Sequence, residues 1–181
     1  MRTELDVAVL GGGCFWCIDA VYRQVRGVTS VETGYAGGQQ ADPGHEQVAG
    51  GGTGHAQVVR LEFDPAIVSY HDLLEVFFTS HDPTTVDRQG NDVGTQYRSL
   101  ILVQSSQQEA VAHKVIAEMA GVWDAPIVTQ VLPAQPFYRA PDAHQNSVAR
   151  NPLLSYCALL AAPKVDQFRA MYARLAKPAL A

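Results

Sequence analysis

Hydrophobic residues recur along the chain with two different spacings, and these spacings predict an alternation of strands and helices. Short apolar or alternating runs predict strands at residues 5–10, 28–35, 58–63, 97–103 and 127–132. Apolar positions three or four residues apart predict helices between them. The first predicted helix covers residues 15–25, with Ala20, Val21 and Val25 on its buried side.

Two further helices are marked by residues typical of helix starts. Ser69 is followed three positions later by Asp72, and Ser106 by Glu109, a spacing typical of a capping box. The first of these helices is predicted to reach about residue 80. The second is predicted to end near Gly121, because glycine commonly follows a helix end.

The last third of the chain predicts two helices and a loop. Asp142 is expected to cap a short helix that ends before Pro152, and Pro163 is expected to open the final helix, because proline suits a first helical turn. The buried side of that final helix is predicted to be Val165, Phe168, Tyr172 and Leu175. Polar connections are predicted at residues 36–54, 81–96 and 133–141.

The order of these elements predicts the fold class. A β-α-β unit followed by β-α-β-α-β predicts an α/β (α+β) two-layer sandwich with a mixed sheet. The two units resemble the split β-α-β units of the ferredoxin-like plan. Without an internal repeat or linker, residues 1–181 are expected to form a single catalytic domain, with a C-terminal tail from about residue 152.

Composition narrows the functional classes. The chain is 47% hydrophobic and 17% charged, as in ordinary globular proteins, and its net charge of −5 argues against a nucleic-acid partner. No apolar run is long enough to cross a membrane, and no signal peptide is visible at the N-terminus. Three cysteines do not form a disulfide framework. We therefore expect a soluble cytoplasmic protein with reduced thiols.

Residues 11–17 (GGGCFWC) are the strongest candidate for chemistry. The glycines allow a sharp turn, which delivers Cys14 to a helix N-terminus where backbone N–H groups stabilise a thiolate. Cys17 lies one helical turn further on. Buried structural cysteines are the competing interpretation. A metal site is not expected, because only Cys157 remains and the histidines lack the matching spacing.

Nine short motifs in a fixed order identify a family. They are residues 13–16 (GCFW), 34–38 (GYAGG), 53–56 (TGHA), 63–65 (FDP), 81–84 (HDPT), 90–99 (GNDVGTQYRS), 137–138 (FY), 144–145 (HQ) and 151–152 (NP). This series resembles the peptide methionine sulfoxide reductase A family, which reduces the S-epimer of methionine sulfoxide. The resemblance extends from about residue 7 to residue 152, most of the chain.

The resemblance implies a thiol mechanism without a cofactor. Cys14 attacks the sulfoxide sulfur and becomes a sulfenic acid, which condenses with another thiol to a disulfide. Phe15 and Trp16 match the family's apolar wall for the substrate's methyl group. Asp92 and Tyr97 match polar positions around the substrate, where the tyrosine hydroxyl binds the sulfoxide oxygen. The implied reductant is thioredoxin or another dithiol, and the implied role is protein repair under oxidative stress.

Two positions depart from the family pattern. The family has a glutamate, taken to protonate the sulfoxide oxygen, where this chain has Gln57, and a tyrosine where this chain has His45. An amide donates a hydrogen bond but does not deliver a proton. Our hypothesis is that His45, which titrates near neutral pH, and Tyr97 share the lost function.

The resolving thiol and the activity itself have alternatives. Cys17 is favoured as the resolving thiol because it is close in sequence, while Cys157 matches a C-terminal recycling cysteine found in other family members. Alternative functions are a general thiol–disulfide oxidoreductase using Cys14 and Cys17, or a weakly active or non-catalytic binder of oxidised methionine because of Gln57. We expect a monomer that acts on free and protein-bound sulfoxide.

Overall fold

A mixed six-stranded sheet forms one layer of the computed structural model, which describes residues 3–152 and 155–179, with the side chains of 155–158 outside that description. Its strands are β1 (Asp6–Gly11), β2 (Val28–Ala36), β3 (Ala56–Phe63), β6 (Leu100–Val103), β7 (Gln130–Pro133) and β8 (Tyr138–Arg139). Two short strands, β4 (Arg88–Gln89) and β5 (Asp92–Val93), form a separate hairpin.

The order of strands in the sheet is β7-β6-β1-β3-β2-β8. β3 lies between β1 and β2 and is antiparallel to both, so β1 and β2 run in the same direction. β1 in turn lies between β3 and β6 and is antiparallel to both. These are two split β-α-β units, and β7 adds to β6 in parallel. The predicted fold class, a mixed sheet with ferredoxin-like units, is confirmed.

The helices are α1 (Phe15–Tyr22), α2 (His45–Ala49), α3 (Tyr70–Ser80), α4 (Ser106–Met119), α5 (Ser147–Arg150) and α6 (Ser155–Met171). Shorter 3₁₀ turns are Thr95–Tyr97, Asp142–His144 and Ala173–Leu175. Among the helices of the described residues, none is long and apolar enough to cross a bilayer.

Alternation along the strands gives the sheet two apolar faces. Leu10, Leu61 and Ile101 are fully buried in the main core, where residues of α1, α3 and α4 pack against the same cluster. On the other face a smaller cluster includes Val9 and Val58. The strands are therefore apolar on both sides, which explains why several of them appear in the sequence as continuous hydrophobic runs.

Two predicted strands begin later than expected. The strand predicted at 97–103 starts at Leu100, because Tyr97 belongs to a 3₁₀ turn in which its N–H donates to Gly94. The strand predicted at 127–132 starts at Gln130, because the N–H of Val128 donates to Pro83 in a loop rather than to the neighbouring strand. The first three predicted strands are confirmed with shifts of one or two residues at their ends.

The first predicted helix is too long by three residues. α1 ends at Tyr22, and Val25 instead forms an isolated β-bridge with Ala176. The helix at Ser69 is confirmed with its capping box to Asp72.

The predicted start of α4 at Ser106 is confirmed, but its cap is Ser105, whose hydroxyl accepts from the N–H of Gln108. The predicted cap at Asp142 is wrong. Asp142 lies in a 3₁₀ turn, where its carboxylate accepts from Arg139 instead of capping a helix.

The final helix is also misplaced by the sequence pattern. α6 begins at Ser155, so Pro163 lies inside it, although proline normally interrupts a helix. The three predicted loops contain short elements that the pattern did not reveal, namely α2 in residues 36–54, the β4–β5 hairpin in 81–96 and β8 in 133–141.

Candidate active site

The glycine run after β1 delivers Cys14 to the start of α1. Gly13 has a positive φ of 91°, and a Cβ there would lie 2.5 Å from the Cγ of Gln89. A Cβ on Gly12 would lie 2.9 Å from the ring of His81. Larger residues would therefore push the chain away from its neighbours. Cys14 is the N-cap residue of α1, at the helix N-terminus as predicted.

A cavity of about 190 Å³ brings together side chains from five parts of the chain. Cys14, Phe15 and Trp16 come from the start of α1, and the others come from α2, β3, the β4–β5 hairpin and the 3₁₀ turn before β6. The full set is Cys14, Phe15, Trp16, His45, Gln57, Asp92 and Tyr97. All seven side chains expected around the substrate thus line one cavity.

The two thiols at this site interact directly. Cys14 and Cys17 are free, and their side chains are hydrogen-bonded to each other. The hydrogen bond that the Cys14 thiol donates to the Cys17 sulfur raises the pKa of Cys14, and burial raises it further. The same hydrogen bond lowers the pKa of Cys17. The backbone N–H of Trp16 donates to the Cys14 sulfur and acts in the opposite direction on its pKa. Ionisation of the pair therefore favours the Cys17 sulfur over the Cys14 sulfur.

Gln57 is placed by β3 at the back of the cavity. It lies opposite Tyr35 of β2 and is 4% exposed. Its Oε1 accepts from the backbone N–H of Phe15 at 3.2 Å. Because this bond uses the amide oxygen, the Nε2 group remains as the hydrogen-bond donor of this side chain. Gln57 is therefore suited to bind an oxygen atom but not to protonate it.

His45 begins α2 and belongs to an aromatic cluster. Its Nδ1 is 2.8 Å from the hydroxyl of Tyr35, and its ring stacks on that of His144 with centroids 4.1 Å apart. Burial raises the pKa of Tyr35 to about 12, so its hydroxyl stays protonated. Burial also lowers the pKa of His45, although nearby Glu46 opposes this. At neutral pH the imidazole of His45 is mainly uncharged.

Tyr97 contributes a hydroxyl group to the cavity wall, and this group stays protonated. Burial, Asp92 and Cys14 all raise its pKa, in that order. Its position follows from the 3₁₀ turn, which replaces the predicted strand at this point. Tyr97 is thus available as a hydrogen-bond donor over the ordinary pH range.

A second cavity of about 360 Å³ also reaches Cys14. Cys17, Asp92 and Lys164 line it together with Cys14, but Phe15 and Trp16 do not. Cys14 and Asp92 line both cavities. Cys14 therefore lies in the wall of both a smaller aromatic cavity and a larger one that is also lined by the second cysteine.

Three residues near the site were not predicted from the sequence. Tyr35 and His144 occur in two of the nine motifs, but only the fold shows that both contact His45. No pattern in the sequence pointed to Lys164.

His55, a weak candidate for assisting a thiol, instead stabilises the preceding loop. Its Nδ1 accepts from the N–H of Gly38, and its Nε2 donates to the Gln40 carbonyl at 2.6 Å. The side chain of Cys157 lies outside the described residues.

The chain is similar over most of its length to a known protein family. A family model described as peptide methionine sulfoxide reductase matches residues 6–176. A protein of Ralstonia nicotianae named peptide methionine sulfoxide reductase MsrA is 52% identical over 178 residues, covering 95% of this chain and 93% of the relative.

Solved structures give the same result for the fold. Mxr1 from Saccharomyces cerevisiae in its reduced form has a TM-score of 0.79 at 30% identity, covering 84% of this chain and 89% of that one. Mxr1 in complex with Trx2 has a TM-score of 0.58 at 22% identity, covering 81% and 87%, a likeness in fold alone.

Proposed function

The chain belongs to the peptide methionine sulfoxide reductase family, and from this premise we propose how its own residues carry out the reaction. It is an oxidoreductase that reduces methionine sulfoxide. Neither alternative, a general thiol–disulfide oxidoreductase or a non-catalytic binder, is favoured by the family match. The observation that carries the proposed residue roles is the single cavity shared by Cys14, the two aromatic rings and the three polar side chains Gln57, Asp92 and Tyr97, with His45 beside them.

Cys14 is the proposed nucleophile. Its thiolate attacks the sulfoxide sulfur to form an S–S bond, and the sulfoxide oxygen takes up two protons and leaves as water as the S–O bond breaks. Water then attacks the Cys14 sulfur and breaks the S–S bond, so that Cys14 becomes a sulfenic acid, methionine is released and one proton is returned. The helix N-terminus and the Trp16 N–H favour the thiolate. The Cys17 hydrogen bond opposes it, so Cys14 becomes reactive when the shared proton moves to Cys17.

Phe15 and Trp16 are proposed to hold the substrate's methyl group. Phe15 is almost fully buried, and its ring lies 6.3 Å from that of Trp16, which stacks on His144 at 5.6 Å. Contacts between sulfur or methyl groups and aromatic rings contribute about 0.3–1.5 kcal/mol each. The wall is therefore rigid as well as apolar, which suits orientation of the sulfoxide sulfur towards Cys14.

We propose that the sulfoxide oxygen binds close to Gln57, Tyr97 and His45, and that Asp92 lies beside these side chains. Gln57 and Tyr97 donate hydrogen bonds to it. Proton delivery falls to His45 and Tyr97, because the amide of Gln57 has no acidic proton to give. The contact between Tyr35 and His45 supports this assignment. With the Tyr35 hydroxyl donating to Nδ1, the proton of a neutral His45 sits on Nε2.

Cys17 is proposed to resolve the sulfenic acid, rather than Cys157. The hydrogen bond between Cys14 and Cys17 supports this choice, because the attacking and accepting sulfurs are already neighbours. We propose thioredoxin or another dithiol as the reductant that regenerates both thiols. We also propose that residues 1–181 form a single catalytic domain and that the protein is a cytoplasmic monomer. Sedimentation velocity tests whether it is a monomer.

Stereospecific reduction tests the proposed function. Purified protein is given the separated S- and R-epimers of free and peptide-bound methionine sulfoxide with dithiothreitol. We expect methionine from the S-epimer only, and none from the C14S variant. Equal turnover of both epimers, or full activity in C14S, would contradict the assigned stereochemistry or nucleophile. Mass mapping after one turnover without reductant identifies the disulfide, and a Cys14–Cys157 peptide would overturn Cys17 as the resolving thiol.

A further inference from the structure

Lys164 of α6 places a positive charge beside the two thiols. Its side chain lines the larger cavity with Cys14 and Cys17. The Nζ group donates to the backbone carbonyl of Ser80 at 2.6 Å. Ser80 ends α3, and the last carbonyls of a helix lack N–H partners and carry partial negative charge. The ammonium group is therefore held in place by the end of a neighbouring helix.

The charge of Lys164 has no carboxylate bound to it. Within the described part of the chain, no Asp or Glu oxygen forms an ion pair with its Nζ. Asp92 lies in the wall of the same cavity and acts on the thiols in the opposite sense. A partly buried ammonium without an ion-pair partner is costly unless a negative charge forms nearby. The thiolate of the cysteine pair is such a charge.

We propose that Lys164 is a positioning residue for the resolving step, in which it holds Cys17 as the thiolate that attacks the Cys14 sulfenic acid. This inference rests on the proposed function, in which Cys17 is the resolving thiol. The sulfur of Cys17 bonds to the sulfur of Cys14 as the S–O bond breaks. Cys17 is oxidised, the sulfenic sulfur is reduced, and the departing hydroxide takes a proton to leave as water.

The need for Lys164 is greatest after the first step of the reaction. In the resting enzyme, the S–H of Cys14 donates to Cys17 and is the largest contribution that lowers the pKa of Cys17. Oxidation of Cys14 to the sulfenic acid removes that S–H donor. Burial and Asp92 still raise the pKa of Cys17, and Lys164 is the cation that opposes them. Charge at position 164 should therefore control the second step more than the first.

A single-turnover experiment without reductant separates the two steps. Wild type, K164M and K164R are mixed with methionine-S-sulfoxide, and samples are quenched in time for methionine, for dimedone-labelled Cys14 and for the disulfide. In K164M we expect the Cys14 sulfenic acid to persist and the disulfide to form about tenfold more slowly at pH 7, the change in thiolate fraction for one pKa unit. The pH profile of disulfide formation should move upward by about one unit.

Two controls make the outcome specific to charge. K164R keeps the cation and should restore most of the wild-type rate, while K114M removes an exposed lysine and should match wild type. Disulfide formation in K164M at the wild-type rate, or equal slowing in K164R and K164M, would overturn the role of Lys164. A wild-type disulfide between Cys14 and Cys157 would overturn it for a different reason, because the proposed resolving thiol itself would then be wrong.

Discussion

In the proposed mechanism, the amide at position 57 leaves the delivery of a proton to neighbouring side chains. Gln57 is fixed by its bond to the Phe15 N–H and cannot release a proton. Tyr97 remains protonated because burial raises its pKa, and His45 becomes a strong donor only when it is charged. The residue chemistry thus predicts a pH dependence that differs from that of an enzyme with a carboxylic acid at this position.

The rate of the first step should reveal the contribution of His45. Burial holds the pKa of His45 below 6.5, so its charged form increases as the pH falls through that region. We expect the ratio of wild-type to H45F rates to rise towards about tenfold at pH 5 and to approach one above pH 8, whereas Q57E should be about 10²-fold faster than wild type at neutral pH. Single-turnover release of methionine from pH 5 to 9 measures this.

The neighbours of His45 define the control for this measurement. His144 stacks on it, and a charge on His45 contributes to the lowered pKa of His144, so the two rings do not readily carry protons together. H113F removes an exposed histidine that does not line the cavity and should behave as wild type over the whole range. A pH-independent ratio for H45F would show that Tyr97 supplies the proton alone.

At the residue scale, the sequence identified the side chains of the cavity but not their contacts. Cys14, Phe15 and Trp16 are consecutive, and Asp92 and Tyr97 lie in one motif, so short-range patterns were sufficient for them. The contact between Tyr35 and His45 joins β2 to a five-residue helix that the glycine-rich sequence around it conceals. Lys164 reaches the thiols only because α6 packs on α1, and no local pattern reports such packing.

At the scale of elements, α1 contains a buried acid next to the catalytic turn. Asp19 is 1% exposed, and Arg23 donates to one of its oxygens at 2.9 Å. The other oxygen has no hydrogen-bond partner among the described residues. Burial raises the pKa of Asp19 to about 6, although Arg23 opposes this. Ionised Asp19 therefore destabilises the folded state relative to its protonated form.

The sign of this effect predicts how stability changes with pH. Because the folded pKa of about 6 exceeds the ordinary value of 3.8, the folded state binds the proton more tightly than the unfolded state does. The stabilisation is complete below about pH 4 and is lost as the pH rises through 6, a change on the order of 3 kcal/mol. In D19N this component should disappear from urea unfolding curves measured between pH 4 and 8.

A matched exposed acid tests whether the effect is local. D124N removes a carboxylate from an exposed position and should leave the pH dependence of unfolding as in wild type. If D19N and wild type lose the same free energy of unfolding between pH 4 and 8, Asp19 is not the group responsible.

The elements themselves were predictable where two signals agreed. α3 has both an apolar stripe and the Ser69 capping box, and its bounds were confirmed. α6 has conflicting signals, because Pro163 is typical of a helix start but here lies in the interior of a helix that packs against α1 and α3. Local propensity was overridden by tertiary contacts at that point.

At the scale of the whole molecule, one glutamine connects the C-terminal third to the sheet. Gln145 is 8% exposed, and its Oε1 accepts from the N–H of Thr33 at 2.8 Å. Its Nε2 donates to the carbonyls of Thr33 and Ala140, both at 2.9 Å. The two bonds to Thr33 attach the segment around His144 to β2, and the bond to Ala140 holds that segment together, so they also position His144 against Trp16 and His45.

Removal of this amide should affect both stability and the site. Q145L removes three hydrogen bonds and leaves the buried Thr33 N–H without its acceptor, and we expect a loss of about 3 kcal/mol in the free energy of unfolding. The KM for sulfoxide should rise as well, because the aromatic wall loses its support. Urea unfolding and steady-state kinetics measure the two effects. Q107L, at an exposed position of α4, is the matched control, and equal stability of the two variants would contradict the role of Gln145.

The overall arrangement was predictable because both split units follow from the order of elements. The order of elements did not predict the edge of the sheet at β8. This strand has only two residues, and its pairing with Gly34 and Tyr35 does not follow from a hydrophobic pattern. The larger cavity was likewise invisible, since its walls come from α1, the β4–β5 hairpin and α6.

The position of Cys14 between two cavities has a kinetic consequence. In the proposed function, the methionine product occupies the aromatic cavity, whereas Cys17 lines the other one, so methionine and the Cys17 sulfur do not compete for the same space at Cys14. Disulfide formation then need not wait for product dissociation. Added methionine should act as a competitive inhibitor against the sulfoxide but should not slow disulfide formation from the Cys14 sulfenic acid. Enzyme that has been oxidised therefore goes on to the disulfide at the same rate even where free methionine is abundant.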